Sequence, residues 1–337
     1  MKANPGQIPP RDSRIPGKSK AGRGSGPFSA GRPAILVLAA VWAALLPLCP
    51  ALAAPADPAD LSGYQYEETR NLVALVEEAA QLFHEKGSAA FPEFRTKGSR
   101  WFRNSRYLFV YDLDGTCVFH PIDEELVGKP LLNIEDIHGK PVIRMIVGAA
   151  NSEPFHCGWL HYLWVEPGEI FPSWKTTYIR RVTGPDGKSY AIGSGLYNMK
   201  PEKTFVTGIV DSAAELIKQK GEDAFADLKD PASPYVYRDT YVFVLRMDGT
   251  ALVDPGYPCI QGRNLKNFTD FEGRHVFREM IEKLQKEPQA WVMYMQVLPG
   301  GSTPVRKLAY VRRVRAGGLD LIVGSAYALA NPIWLRW

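Results

Sequence analysis

Tyr107-Leu108-Phe109-Val110-Tyr111-Asp112-Leu113-Asp114-Gly115-Thr116 recurs, displaced by 134 residues, as Tyr241-Val242-Phe243-Val244-Leu245-Arg246-Met247-Asp248-Gly249-Thr250. The same displacement carries Gly87 onto Gly221, Phe91 onto Phe225, Pro121 onto Pro255, Gly128 onto Gly262, Gly139 onto Gly273 and Arg144 onto Arg278. Past a two-residue deletion, Trp159 falls on Trp291, Tyr162 on Tyr294 and Lys175 on Lys307. Tyr178-Ile179-Arg180-Arg181-Val182 then falls on Tyr310-Val311-Arg312-Arg313-Val314, and Gly193-Ser194 on Gly324-Ser325. So many rare residue types in one register mark an internal repeat, with units at 64–198 and 199–331.

Each unit opens on a helix. Leu72, Leu75, Val76, Ala79 and Phe83 hold the i, i+3, i+4 spacing of one buried stripe, and Val206, Ile209, Val210, Ala213 and Ile217 repeat it. Gly87 and Gly221 stand where a helix ends on glycine. An Asp-Gly turn between β-rich runs predicts a hairpin, Tyr107–Tyr111 leading in and Thr116–His120 leading out. A short helix near Pro141–Ala150 and strands near Gly158–Val165, Trp174–Val182 and Ser189–Leu196 complete the unit. The order α-β-β-α-β-β-β predicts an antiparallel sheet of about five strands with its helices to one side, an α+β architecture.

Phe109 to Thr116 also imitates the nucleophile loop of haloacid-dehalogenase-type phosphatases, with Asp112 as nucleophile and Asp114 as acid/base. The repeat argues against it. Arg246 stands where the nucleophile would be, while Asp248-Gly249-Thr250 is kept, so the shared element is the turn. No later acidic pair for magnesium is found, and the element order is wrong for that fold. Catalysis by Asp112 is therefore the lesser reading, and the chain is expected not to be an enzyme.

The pattern Tyr-x-Phe before Asp-Gly-Thr, then His120-Pro121, Gly128-Lys129 and Gly139 before a short helix, resembles the single-Cache type 2 family. So do Gly158-Trp159 through Tyr162-Leu163-Trp164, then Lys175, Tyr178 and Gly193-Ser194-Gly195-Leu196-Tyr197, and counting both copies the resemblance covers nearly all of 64–331. It implies two tandem PAS-like Cache domains, extracytoplasmic sensors that hold small ligands, short carboxylates among them, between the sheet and its covering loops. The family's usual output is a transmembrane helix leading to a chemoreceptor or kinase module. None is expected here, so the implied partner is a small organic anion, with a membrane receptor or sensor kinase as recipient. An exported protein with degenerate pockets is the bland alternative.

A pocket for a small anion needs a cationic or hydroxyl donor against an aromatic wall. Lys175, Tyr178 and His120 are the polar candidates in the first copy, walled by Trp101, Phe102, Tyr107, Trp159 and Tyr162. Lys307, Tyr310, Asp254 and Trp291 are their counterparts in the second. Strict alternation sets 175 and 178 on opposite faces of a strand unless a bulge or loop edge intervenes, and the other reading is a solvated Lys175 and a core Tyr178. Asp254 in place of His120 replaces a potential donor by an acceptor, which predicts unequal copies. Arg144 and Arg278 read as partners of ion pairs.

Of 40 Lys and Arg and 36 Asp and Glu, seven and one lie in residues 1–53, leaving 33 and 35 for the rest. A near-neutral body argues against the clustered basic face of a nucleic-acid binder. Residues 1–53 read as a signal peptide: a basic leader, an uncharged run from Ala34 to Leu48, and the small-x-small site Ala51-Leu52-Ala53. The expectation is export to the periplasm with cleavage after Ala53. An N-terminal anchor is the alternative. Cys117, Cys157 and Cys259 remain, the first two within one unit where a disulfide is open. No cofactor or metal spacing is present.

Overall fold

A computed structural model describes residues 60–329. The leader and its cleavage site lie outside them. Helices α1 (Glu67–Lys86) and α2 (Phe91–Arg95) precede a hairpin of β1 (Leu108–Asp112) and β2 (Cys117–Phe119). Helix α3 (Val142–Ala150) and strands β3 (Cys157–Val165), β4 (Pro172–Thr183) and β5 (Ser189–Tyr197) follow. The pattern repeats with α4 (Lys203–Lys220), α5 (Ala224–Lys229), β6 (Val236–Tyr237), β7 (Thr240–Arg246), β8 (Ala251–Val253), α6 (Val276–Lys286), β9 (Gln289–Val297), β10 (Pro304–Ala316) and β11 (Leu319–Ala328). Both sheets are antiparallel, ordered β2-β1-β5-β4-β3 and β6-β7-β11-β10-β9, with β8 beside β7.

The helices follow from the stripes. On α1 the buried positions are Leu72, Val73, Leu75, Val76, Ala79, Ala80 and Phe83, with Glu67 and Glu68 in the first turn and His84 and Lys86 in the last, each complementing the helix dipole. The helix stops at Gly87, whose positive φ of 57° suits glycine, and whose N–H donates to the Phe83 carbonyl. Asp112 holds the hairpin turn. Its Oδ1 accepts from the N–H groups of Asp114 (3.1 Å) and Thr116 (2.7 Å), folding the chain between β1 and β2. Asp248 accepts likewise from Thr250 N–H.

One expectation is corrected. The helices do not lie to one side. Successive side chains of a strand point to opposite faces. On β1, Leu108 and Val110 face α1, while Phe109 and Tyr111 face α3. Each sheet is thus covered on both faces, α4 and α6 serving the second. This is why β1 is buried along nearly its whole length instead of alternating inside and out.

The faces differ in reach. The α3 and α6 faces are separate cores, but the α1 and α4 faces belong to one continuous core running from Tyr64 and Trp159 through Phe205 to Tyr310 and Val323. Trp159 and Phe205 rings lie 4.8 Å apart across the junction. The buried Glu202 carboxylate accepts from the N–H groups of Gln65 (2.6 Å) and Tyr66 (3.0 Å), tying the starts of α1 and α4 together. Lys140 Nζ donates to the carbonyls of Ser233 and Val236, and His161 stacks on Tyr237 at 4.1 Å. The two modules therefore share apolar and polar contacts that neither satisfies alone.

Cys117 and Cys157 are free thiols in cores on opposite faces of the first sheet, so the disulfide left open by the sequence is not formed. Arg144 and Arg278 hydrogen-bond side-chain amides, of Asn133 and Asn267, instead of forming the expected ion pairs. Among the described residues no helix is long and apolar enough to cross a membrane.

Candidate ligand pocket

The face of the first sheet covered by α3 carries a small cavity. Alternation on β1 brings Tyr107, Phe109 and Tyr111 to one side, β3 adds Tyr162 and Trp164, and β4 adds Lys175. His120, just past β2, and Val142, Ile143 and Ile146 of α3 close it. Its volume is about 10 Å³, room for one water-sized group. Tyr107 and Trp164 also border an outer groove of about 580 Å³, within the ~300–1,000 Å³ of small-molecule sites.

Lys175 dominates the inner cavity. It is 1% exposed, and among the described residues its ammonium has no hydrogen bond and no ion pair. It lies instead against aromatic faces, 4.0 Å from the Tyr107 ring centre, 5.1 Å from Tyr197 and 5.8 Å from Phe109, an attraction that replaces only part of the lost hydration. Burial pulls its pKa down to about 7 against the weaker upward pull of Asp123 and Glu166. Gly195 makes room for it. A Cβ there would stand 2.9 Å from Lys175 Cε and 2.4 Å from Thr177 Oγ1.

His120 is a neutral donor. Its Nδ1 accepts from Asp123 N–H at 2.9 Å, which leaves the ring proton on Nε2. Burial first, and the Lys175 charge second, lower its pKa to about 3. The Asp123 carboxylate at 3.6 Å therefore faces an uncharged ring, not a salt-bridge partner. The Tyr162 hydroxyl is engaged with Thr177 Oγ1 at 3.0 Å, and burial raises the phenols of Tyr107 and Tyr162 above their ordinary range.

The second module repeats the cavity with other chemistry. Tyr241, Phe243, Asp254, Tyr294 and Lys307 occupy the positions of Tyr107, Phe109, His120, Tyr162 and Lys175, around about 20 Å³. Gln296 replaces Trp164, and Leu245 replaces Tyr111. Here the lysine is satisfied internally. Lys307 Nζ donates to the Asp239 carbonyl at 2.9 Å and has the Asp239 carboxylate at 3.9 Å. Asp254, raised in pKa by burial, accepts from Tyr257 N–H at 2.8 Å.

Of the residues expected at the first pocket, Lys175, His120, Tyr107 and Tyr162 line it together. Tyr178, Trp101 and Trp159 do not. They point to the α1 face, where Tyr178 donates to Glu77 at 2.8 Å, Trp159 Nε1 donates to the Tyr64 hydroxyl at 3.1 Å, and Trp101 packs on Phe94. For Tyr178 and Trp159 the cause is strand parity, which sets 178 opposite to 175 on β4 and 159 opposite to 162 on β3. Phe102 backs Tyr107 at 6.3 Å without reaching the cavity. In the second module Lys307 and Asp254 line the cavity, whereas Tyr310 and Trp291 pack on each other on the α4 face. Phe109, Tyr111, Trp164 and the α3 residues were missed. The Phe109 and Tyr111 parity with Tyr107 was the available signal.

Comparison with known proteins gives one family. The Cache domain model of the dCache_2 type matches residues 95–331 as a single span across both sheets. One Cache domain is thus recognised where the sequence suggested two tandem copies of the single-domain type, and the core shared by α1 and α4 is its physical counterpart. No curated protein matches. Similar solved structures include a Cache chemosensory domain described for carboxylic acid recognition, 21% identical, covering 37% of this chain and 90% of its own (TM-score 0.33). A methyl-accepting chemotaxis protein from Vibrio parahaemolyticus is 19% identical over 38% of this chain and 88% of its own (TM-score 0.34). The ligand-binding domain of the Pseudomonas fluorescens chemoreceptor CtaA, in complex with L-serine, is 12% identical over 77% and 88% (TM-score 0.26). The extent of the family match leaves one conclusion: the chain belongs to the Cache domain family.

Proposed function

We propose that the chain is a sensory-type binding module, not an enzyme, and that it holds a small organic anion with its carboxylate on Lys175. The observation that carries this is the 1% exposed Lys175 side chain, whose ammonium lies against aromatic rings at the cavity and makes no hydrogen bond or ion pair among the described residues. A charge held dry opposes folding unless something compensates it, and a carboxylate in the cavity supplies that compensation, with His120 Nε2–H as a second donor. Tyr107, Phe109 and Tyr162 give the apolar wall, and Asp112, occupied with its turn, is withdrawn as a nucleophile. The second module, whose lysine already has Asp239, serves as scaffold and binds weakly or binds another class.

The finer reading follows the repeat: 64–198 and 199–331 are duplicated units, exported behind the 1–53 leader and cleaved after Ala53. The bound state is presented to a membrane receptor or sensor kinase. A thermal-shift screen of small acids and amines on the wild type and on Lys175→Met tests the binding reading. Acids that raise Tm in the wild type alone support it. Equal shifts in both proteins sink it.

A further inference from the structure

The outer groove is one-sided in charge. Asp123, Glu125, Glu135, Asp136, Glu166 and Glu169 line it, and among the described residues no Lys, Arg or His does. One of these carboxylates is needed by the fold. Asp136 accepts from the N–H groups of His138, Lys140 and Leu163. The second module provides an internal control. At Asp136 it keeps Asp270, which accepts in the same way from Glu272, Arg274 and Met295. At the other five positions it has Tyr257, Cys259, Thr269, Leu298 and Gly301. The carboxylates that the fold does not require are the ones confined to the first module.

A ligand that carries a cationic group besides its carboxylate suits this entrance better than a carboxylate alone. The latter would pass five carboxylates that have no Lys or Arg ion pair among the described residues to reach one cation, and like charges raise the free energy of such a complex. Asp123 and Glu166 are close enough to Lys175 to act on its charge, so the cation sits at the inner end and the anions at the outer. The inner cavity of about 10 Å³ has room for about one carboxylate oxygen beside Lys175, and the groove of about 580 Å³, which shares Tyr107 and Trp164 with it, has room for the rest of a ligand. The buried, unpartnered Lys175 is the independent sign of a ligand.

Building on the reading of Lys175 as the carboxylate site, we propose that the first module takes a zwitterion with separated charges, its carboxylate inward on Lys175 and a protonated amine outward among Asp123, Glu135, Glu166 and Glu169. The ligand class is an ω-amino acid or a longer amine-bearing carboxylate, and net charge at the groove selects it over a monocarboxylate or dicarboxylate of equal length.

The test is calorimetric titration of the full chain at pH 6.5 with 4-aminobutanoate, 5-aminopentanoate and 6-aminohexanoate, each against the amine-free acid of equal length and against glutarate. The best amino acid is expected to bind on the order of tenfold tighter than its amine-free partner, with glutarate weakest. In the Glu135→Gln/Glu166→Gln/Glu169→Gln variant, all at surface positions, that ratio should fall below about threefold. Amine-free acids binding as tightly as the amino acids, through Lys175, overturn the zwitterion proposal and leave the carboxylate reading standing. Amino acids bound with affinity unchanged in Lys175→Met overturn the carboxylate reading itself, as does binding by neither series.

Discussion

Replacing Lys175 by Met should make the protein more stable while removing its ligand site. The side chain has an ordinary pKa of 10.5, and burial lowers it to about 7. At ~1.4 kcal/mol per tenfold, this opposes folding by about 5 kcal/mol at pH 6. Contacts with the rings of Tyr107, Tyr197 and Phe109 return about 2 kcal/mol, leaving a net on the order of 3 kcal/mol. Methionine fills similar space without charge. At ~2–4 °C per kcal/mol for a domain of this size, Tm should rise by about 6–12 °C at pH 6. The pH dependence is set by the direction of the shift. Between pH 7 and pH 10.5 the unfolded chain holds this proton and the folded one has lost it, so wild-type stability gains with rising pH. The advantage of the variant should therefore shrink by ~1.4 kcal/mol per pH unit from pH 7 to pH 9. Differential scanning calorimetry at pH 6, 7, 8 and 9 measures it. A variant less stable than wild type, or an advantage that does not change with pH, would refute the view of Lys175 as a charge held for a ligand.

Carboxylate binding should be strongest near pH 6, where the ligand is ionised and Lys175 protonated, and weaken about tenfold per unit above pH 7 as Lys175 deprotonates. Of the other groups facing it, His120 stays neutral down to about 3, Tyr107, Tyr162 and Tyr197 are held protonated above their usual range, and Asp123 and Glu166 pull the Lys175 pKa upward. Titration calorimetry at pH 6, 7 and 8.5 checks this, and a flat profile would contradict it. Gly195→Ala should destabilise by about 1–3 kcal/mol and weaken binding, because its Cβ meets Lys175 Cε and the Thr176 carbonyl at 2.9 Å. Urea melts and the same titration read both, and a neutral substitution would show that the cavity yields. Unfolding should be one calorimetric transition, with Glu202→Ala lowering it by about 2–4 kcal/mol through two unsatisfied N–H groups. Two separate transitions would mean the modules are independent.

Much of the fold was legible because the repeat samples one architecture twice. The Asp-Gly-Thr turns, the helix stripes and the closing strands emerge wherever both copies agree. The same comparison argued against Asp112 as a nucleophile, and in the structure its Oδ1 accepts from the N–H groups of Asp114 and Thr116 and closes the turn. What was not legible depends on partners distant in sequence. Tyr178, Trp159 and Tyr310 are shared aromatics near Lys175 and Lys307, but parity turns them to the α1 and α4 core. A set of matched residues does not tell which face is open. Asp239, which satisfies Lys307, lies in the turn between β6 and β7 and has no counterpart signal. The acidic groove is assembled from three separate stretches, the longest run among them being only Asp123-Glu124-Glu125. The joined core, with Glu202 bridging to Gln65 and Tyr66, was hidden by the symmetry that made two copies look like two domains.

The central claim is that a carboxylate binds in the first module through Lys175. It is tested most directly by titrating the strongest binder from the acid and amine screen into wild type, Lys175→Met and Lys307→Met under identical conditions at pH 6.5. The expected result is one site per chain, affinity lowered at least a hundredfold in Lys175→Met, as befits loss of a buried ionic partner, and changed less than about threefold in Lys307→Met. Two equivalent sites, or a loss confined to Lys307→Met, would contradict it and place the functional pocket in the second module.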